Sequence, residues 1–272
     1  MKIAIQGISG SYHDEVAKNY FGNECTIIDC MTFDDVVFSV KDGISDFGVM
    51  AIENSIAGSL IPNYSLIDEN NLKIIGEYYI NINHQLMVSP GTNIDEIKTI
   101  SSHPMALLQC KDFLKNSNKL ILEDKDTAEV ARKISKNKLT EVAAIASEKA
   151  AEIYGLDIVE KNIQTIKNNE TRLVIVSSED SLNSTIEKNK ASLKLILNHS
   201  NGSLAKVLNI FSDNNINLTK IQSIPVIETP WKYSFFIDLT FTNINDYTNA
   251  VKNVKLCSEL FKEFGLYKSE KL

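Results

Sequence analysis

Thr171 and Arg172 stand side by side at the head of a short apolar run, residues 173–176. A hydroxyl can donate a hydrogen bond to a leaving oxygen or relay a proton to it. A guanidinium is a planar fork that grips a carboxylate or phosphate through two parallel bonds. Arginine is scarce here: the chain has 28 Lys+Arg, and only Arg132 and Arg172 are Arg. The pair fits anion chemistry at the mouth of a buried strand, and equally a surface Arg flanking one. Cys25, Cys30, Cys110, Cys257 and the four histidines show no close ligand spacing. Reduced thiols and no structural metal are expected.

Groups of this kind need strands that end in loops. Lys2–Gln6 alternates as a strand, and residues 7–11 form a Gly/Ser turn before an amphipathic helix with Val16, Ala17 and Tyr20 on one face. Ser11 and Asp14 fit a capping box. The turn suits an anion, because free N–H groups point out of it, and it suits a plain tight turn as well. It has neither a Gly-Lys-Ser/Thr ending nor a Gly-x-Gly-x-x-Gly pattern. Residues 47–52 form another strand, followed by Glu53-Asn54-Ser55-Ile56-Ala57-Gly58-Ser59, a polar loop of the kind that binds ligands in α/β proteins. Residues 99–101 lead into Ser102-His103-Pro104, with Pro104 at the first helical position and Ser102 or His103 as cap. Ser102 and Gln109 lie two helical turns apart and can face one side. His103 fits a cap at least as well as a catalytic role. Asp126-Thr127-Ala128-Glu129 is a further capping box. Strands alternating with helices imply a parallel α/β architecture.

The charge is uneven along the 272 residues. Residues 1–180 carry 17 basic against 27 acidic side chains, net −10, and residues 181–272 carry 11 against 8, net +3. Two units are expected, with residues 179–190 as a polar linker. The second unit reads as strand, helix, two strands, helix and a last short strand, the order of a ferredoxin-like sandwich. A net charge of −7 argues against nucleic acid as a partner. No run approaches the ~18 apolar residues of a membrane span. The first residues enter a strand at once and lack a signal-peptide pattern, so a cytoplasmic protein is expected.

Five blocks occur in the order of one family: residues 5–12 (Ile-Gln-Gly-Ile-Ser-Gly-Ser-Tyr), 52–59 (Ile-Glu-Asn-Ser-Ile-Ala-Gly-Ser), 102–110 (Ser-His-Pro-Met-Ala-Leu-Leu-Gln-Cys), 126–128 (Asp-Thr-Ala) and 171–173 (Thr-Arg-Leu). On these blocks the chain resembles a bacterial prephenate dehydratase with a C-terminal ACT regulatory domain. Leu173 replaces the Phe of the family's Thr-Arg-Phe signature. The resemblance implies an α/β fold: a two-lobed catalytic domain like the type II periplasmic binding proteins over residues 1–178, its second lobe roughly 80–156, and a βαββαβ ACT domain over 191–272. It implies the decarboxylating dehydration of prephenate to phenylpyruvate, without cofactor or metal, in phenylalanine biosynthesis. Thr171 takes the catalytic role. Arg172, Asn54, Ser55, Ser102, Gln109, Ser11 and Thr127 are the implied substrate contacts.

In the C-terminal unit, Gly202-Ser203-Leu204-Ala205 matches the ACT Gly-Ala-Leu-Ala motif with Ser for Ala. Gln222-Ser223-Ile224-Pro225 stands where the family has Glu-Ser-Arg-Pro. Asn201, Gly202, Ser203, Leu204, Ala205, Gln222 and Ser223 are thus the implied site for L-phenylalanine. ACT pairing implies a homodimer or homotetramer. Arogenate dehydratase, and a non-catalytic small-molecule sensor with an ACT module, are the competing expectations.

Overall fold

The computed structural model describes residues 1–179, 187–226, 229, 232–269 and 271. In chain order its elements are β1 (Lys2–Gln6), α1 (Tyr12–Phe21), β2 (Thr26–Cys30), α2 (Phe33–Lys41), β3 (Phe47–Asn54), β4 (Gly58–Ser59), α3 (Ile61–Glu69), β5 (Lys73–Asn81), β6 (Gln85–Val88), β7 (Thr99–Ser102), α4 (Pro104–Gln109), α5 (Lys111–Lys115) and β8 (Leu120–Glu123). There follow α6 (Thr127–Asn137), β9 (Val142–Ala146), α7 (Glu148–Tyr154), β10 (Asp157–Glu160), β11 (Glu170–Ser177), β12 (Lys190–Leu197), α8 (Ser203–Asp213), β13 (Asn217–Pro225), β14 (Tyr233–Thr240), α9 (Ile244–Leu256) and β15 (Ser258–Tyr267).

Local chemistry starts the helices where the sequence indicates. Thr32 and Asp35 close a full capping box on α2. Ser11 and Asp126 cap α1 and α6 by accepting from Asp14 N and Glu129 N. Neither completes the expected box. The Asp14 carboxylate takes Gly10 N instead (2.7 Å), and Glu129 holds Arg132 through two bonds. Pro104 sits in the first turn of α4 with His103 as its cap.

By its contacts the chain forms two compact units. One is Met1–Gly58 with Tyr79–Leu173, and the other is Ser59–Tyr78 with Val174–Leu272. This differs from a single cut near residue 180, which assumes that each unit is one continuous stretch. Residues 59–78 join the C-terminal unit through long-range ion pairs: Lys190 with Glu77 (2.8 Å) and Lys262 with Asp68 (2.6 Å). Of the expected linker 179–190, residues 180–186 lie outside the described residues, and Lys190 already belongs to β12.

The first sheet runs β2-β1-β3-β11-β5 with β4 on β3, and β1 is parallel to both neighbours. The second lobe holds a sheet of order β10-β6-β9-β7-β8. There β7 is parallel to β8 and β9, while β6 runs against β9 and β10. The parallel expectation is therefore corrected to mixed sheets. β6 carries the chain into the second lobe and opposes both neighbours, and strand–helix alternation does not encode that direction. Residue parity then sorts the core. Leu86, Val88, Ala143 and Ile145 pack with Leu107 and Cys110 on one face of the sheet. Met87, Ala144 and Ala146 pack with α6 residues Ala131 and Ile134 on the other. Each large side chain buried this way contributes roughly 1.5–3 kcal/mol.

The C-terminal sheet has the order β13-β14-β12-β15, antiparallel throughout. Ala191, Leu193, Leu195 and Leu197 of β12 pack against Val207 and Phe211 of α8 and Ala250 and Val254 of α9. The last strand is not short: β15 has 10 residues and α9 stops at Leu256. Leu256, Leu260 and Phe261 recur at helical spacing, but pairing of 258–267 with β12 overrides that local preference.

Candidate active site

The C-terminal end of β3 and the start of β11 lock together. Ser55 N donates to Glu170 O (2.8 Å), and Glu170 N donates to Ser55 Oγ (2.9 Å). This clasp brings together Asn54 and Thr171, 117 positions apart: Asn54 Nδ2 donates to Thr171 Oγ1 (2.9 Å) and to Asn169 Oδ1 (2.7 Å). Asn54 Oδ1 accepts from Ile56 N (3.0 Å) and Ala57 N (2.8 Å). The Asn54 amide is thus spent inside the protein. Thr171 Oγ1 receives one N–H, which leaves its own O–H able to act as a donor. Asn169 is fully buried, and its Nδ2 has no hydrogen-bond partner among the described residues.

The pleat separates the pair that the sequence places side by side. Successive strand residues face opposite sides of a sheet, so Arg172 turns away from Thr171. Arg172 is 4% exposed, and Leu173 is buried beside it. A guanidinium clamp on the same face as the hydroxyl is not what this backbone builds.

The other expected contacts gather at the C-terminal ends of parallel strands, where open α/β sheets bind ligands. Ser11 caps α1 beyond β1, and its Oγ and Asp126 Oδ2 both crowd Gly7. Thr127 opens α6 beyond β8 and is nearly buried. Burial raises the Asp126 carboxyl above its ordinary range against the N–H bonds of the cap. The loop of residues 7–11 is pinned to the second lobe: Ser147 Oγ donates to Gly10 O (2.6 Å), and Tyr154 OH donates to Ser9 O (2.7 Å). Gly10, at φ 89°, lies so close to α7 that a Cβ would stand 3.0 Å from Ala150 Cα. Ser102 has no exposed surface, and its hydroxyl donates to Ile145 O (2.6 Å), tying β7 to β9.

Gln109 is held by a group the sequence did not single out. His84 donates from Nε2 to Gln109 Oε1 (2.8 Å), and Tyr12 OH lies 3.2 Å from His84 Nδ1. Burial lowers the His84 pKa, and the Gln109 bond opposes that shift. The His84 ring thus aims the Gln109 carboxamide, its NH2 group directed away from His84. Cys110 next door is no nucleophile: burial pushes its thiol up to about 12. Asn169 and His84 are the site residues that motif spacing misses, although Asn169 lies within the stretch that holds Thr171. Among the described residues, no group of three or more His, Cys, Asp or Glu side chains is placed to hold a metal ion.

In the C-terminal unit, Gly202 takes a left-handed φ of 79° and heads α8 without a side-chain cap. Asn201, Gly202 and Ala205 are exposed, and Ser203 and Leu204 are half-buried. The register sets Ile196, Ser234 and Ile224 abreast, so the turn after β12 lies at the same end of the sheet as Gln222 and Ser223, two strands away. Gln222 Nε2 donates to Ser223 O (3.0 Å), and Ser223 is exposed.

The prephenate dehydratase family profile matches residues 3–181, and the ACT domain profile matches residues 192–246. An arogenate dehydratase/prephenate dehydratase 2 of Arabidopsis thaliana is 34% identical over 277 residues, covering 98% of this chain and 72% of that protein. A bifunctional chorismate mutase/prephenate dehydratase of Buchnera aphidicola is 34% identical over 272 residues, covering 98% and 70%. Among solved structures, GqqA, described as a quorum-quenching acylase, superimposes with a TM-score of 0.89 at 26% identity, covering 100% of this chain and 99% of that one. The prephenate dehydratase of Arthrobacter aurescens in complex with L-Phe superimposes at 0.88 and 24%, covering 99% and 90%, a likeness of fold. With the profile match spanning both lobes and the clasp that holds Thr171, the chain belongs to the prephenate dehydratase family and carries a C-terminal ACT domain.

Proposed function

We propose that this chain converts prephenate to phenylpyruvate, with Thr171 as the group that assists departure of the ring hydroxyl. The observation that carries this is the hydrogen bond from Asn54 Nδ2 to Thr171 Oγ1. Loss of carbon dioxide supplies the electron pair that aromatises the ring as the C–O bond breaks. The departing oxygen gathers negative charge, and the Thr171 O–H donates to it. As that proton moves, charge grows on Oγ1, where the Asn54 N–H already points. The hydroxide leaves as water, and a solvent proton restores Thr171. Asn54 on this reading acts through Thr171, while Gln109, Ser55 and the helix starts at Ser11 and Thr127 offer donors to the substrate's carboxylates. The reaction takes place in the cytoplasm.

The acylase chemistry of the GqqA relative is less well served. A hydroxyl nucleophile needs a base beside it, and the partner of Thr171 is an amide that cannot take its proton. L-Phenylalanine is the proposed effector at the turn 201–205, supported by the ACT profile match and by a head of α8 that has no side-chain cap.

The test is direct. Purified protein is supplied with prephenate and with arogenate separately, and release of phenylpyruvate from prephenate is the expected result. Turnover of arogenate alone moves the assignment to arogenate dehydratase, and turnover of neither removes the catalytic assignment.

A further inference from the structure

Among the described residues β8 forms one edge of the second-lobe sheet, with β7 as its neighbour on one side only. Edge strands in natural proteins are blunted by charges, proline or a bulge, because their free N–H and C=O groups invite pairing. β8 instead carries three apolar residues in a row: Leu120, Ile121 and Leu122 are 60%, 36% and 47% exposed. The register sets Ile121 beside the buried Ile100, and Leu120 and Leu122 beside Thr99 and Ser101. Ile121 therefore extends one apolar face of the sheet, and the two leucines extend the other.

The backbone phase of this edge is also defined. Leu120 N and Asp124 N donate inward, to Lys98 O and Ser102 O (2.9 Å each). The N–H and C=O groups of residues 119, 121 and 123 accordingly point off the sheet. Lys119-Leu120-Ile121-Leu122-Glu123 is self-complementary when reversed, with an apolar centre and opposite charges at its two ends.

We propose that β8 pairs antiparallel with β8 of a second copy of this chain, about a two-fold axis through Ile121. In that register Ile121 faces Ile121, Leu120 faces Leu122, and Lys119 faces Glu123 of the second copy. The outward-pointing residues 119, 121 and 123 fall on the hydrogen-bonded positions, so the strands exchange N–H···O bonds at Ile121 and Glu123 without a slip, and at Lys119 once its N–H leaves the long bond to Ser117 Oγ (3.5 Å). Leu120 and Leu122 take the closer, non-hydrogen-bonded positions, where cross-strand side chains interact most strongly. A one-residue slip would set outward-pointing N–H and C=O groups opposite inward-pointing ones, and would replace the Lys119–Glu123 pairs with Lys119 opposite Leu122 or Asp124. The two sheets become one continuous sheet of ten strands, and neither copy keeps an exposed apolar edge. Such an interface is isologous.

Cross-linking tests both pairing and register. Leu120→Cys and Leu122→Cys chains, mixed and mildly oxidised, form a covalent heterodimer, because Cα atoms in non-hydrogen-bonded pairs lie about 4.5 Å apart, within disulfide reach. Either variant alone cross-links at least tenfold more slowly, since each cysteine then faces a leucine. Lys119→Glu or Glu123→Lys placed in both cysteine chains slows cross-linking about tenfold by setting like charges opposite each other. Combining the two swaps restores the rate to within about threefold of the parent pair. A mixture that cross-links no faster than its separate components, or a rate indifferent to both charge swaps, overturns the proposal and leaves the edge for a different partner.

Discussion

Asn54 Nδ2 lies 2.9 Å from Thr171 Oγ1 and 2.7 Å from Asn169 Oδ1, so one buried amide joins the proposed catalytic hydroxyl to a side chain that has no surface. The hydroxyl is held by this relay rather than by its own strand alone, and the relay can be broken at each member.

Thr171→Ala removes the donor itself. It lowers kcat by at least ~10²-fold, the low end for a positioned proton-transfer or oxyanion-type group. KM for prephenate changes much less. Thr171→Ser keeps the hydroxyl and recovers most of the rate. Steady-state kinetics on the two variants decide the matter, and an Ala variant with wild-type turnover excludes Thr171 from the reaction.

Asn169→Ala removes the 2.7 Å acceptor of one buried Asn54 N–H and leaves it only the longer bond to Glu170 O (3.3 Å). That costs about 1–3 kcal/mol of stability. It also loosens the Asn54 amide, which is then held by Ile56 N, Ala57 N and Glu170 O alone, so kcat falls about tenfold while KM holds, as expected for an interaction realised in the transition state. Urea unfolding with parallel kinetics checks both effects. A stability loss with unchanged kcat would make Asn169 a packing residue only.

Arg172 faces away from Thr171 and is nearly buried, so its replacement acts on the fold. Arg172→Ala lowers unfolding free energy by about 1–3 kcal/mol, and KM for prephenate in the folded fraction stays close to wild type. A many-fold rise in KM with an unchanged urea midpoint would return Arg172 to the substrate.

His13 packs edge-on against Phe33, and its Nε2 is buried without a hydrogen-bond partner among the described residues. Burial lowers its pKa from 6.5 to about 4. The unfolded chain therefore binds a proton that the folded protein refuses between pH 6.5 and about 4. Stability contributed by the neutral ring is complete above pH 6.5 and is lost as the pH falls through that window. At most one proton is involved, a slope of about 1.4 kcal/mol per pH unit. His13→Leu removes this slope in urea titrations between pH 8 and 4, and an unchanged slope assigns the acid sensitivity elsewhere.

Gly202 has open space where a side chain would start, so Gly202→Val does not crowd the turn. The cost lies in the backbone: a left-handed residue with a branched side chain is strained by roughly 1–2 kcal/mol. The head of α8 shifts, and calorimetric titration shows phenylalanine binding at least several-fold weaker, while the rate without phenylalanine is unchanged. Wild-type binding heat in the valine variant would move the effector site off this turn.

Local signals in the sequence determine much of this protein. The caps at Ser11 and Asp126, the Pro104 helix start and the alternating strands are set by neighbours within four residues, and they appear where the residues predict. The five blocks, read in order, carry the family and mark Thr171. Direction and pairing are not local. The course of β6 against its neighbours, and the reach of β15 where Leu256–Phe261 keeps helical spacing, follow from which strand lies alongside. The Asn54–Thr171 bond joins residues 117 positions apart, and the pleat that parts Thr171 from Arg172 depends on both belonging to one strand. Segment 59–78 takes its place with the C-terminal unit through Glu77 and Asp68, whose lysine partners lie more than a hundred residues away. Spacing along the chain records only contacts that one helix turn or one strand can make. Which carboxylate meets which lysine, and which amide stands behind the hydroxyl, is decided when distant segments bury their polar groups together and each must find a partner.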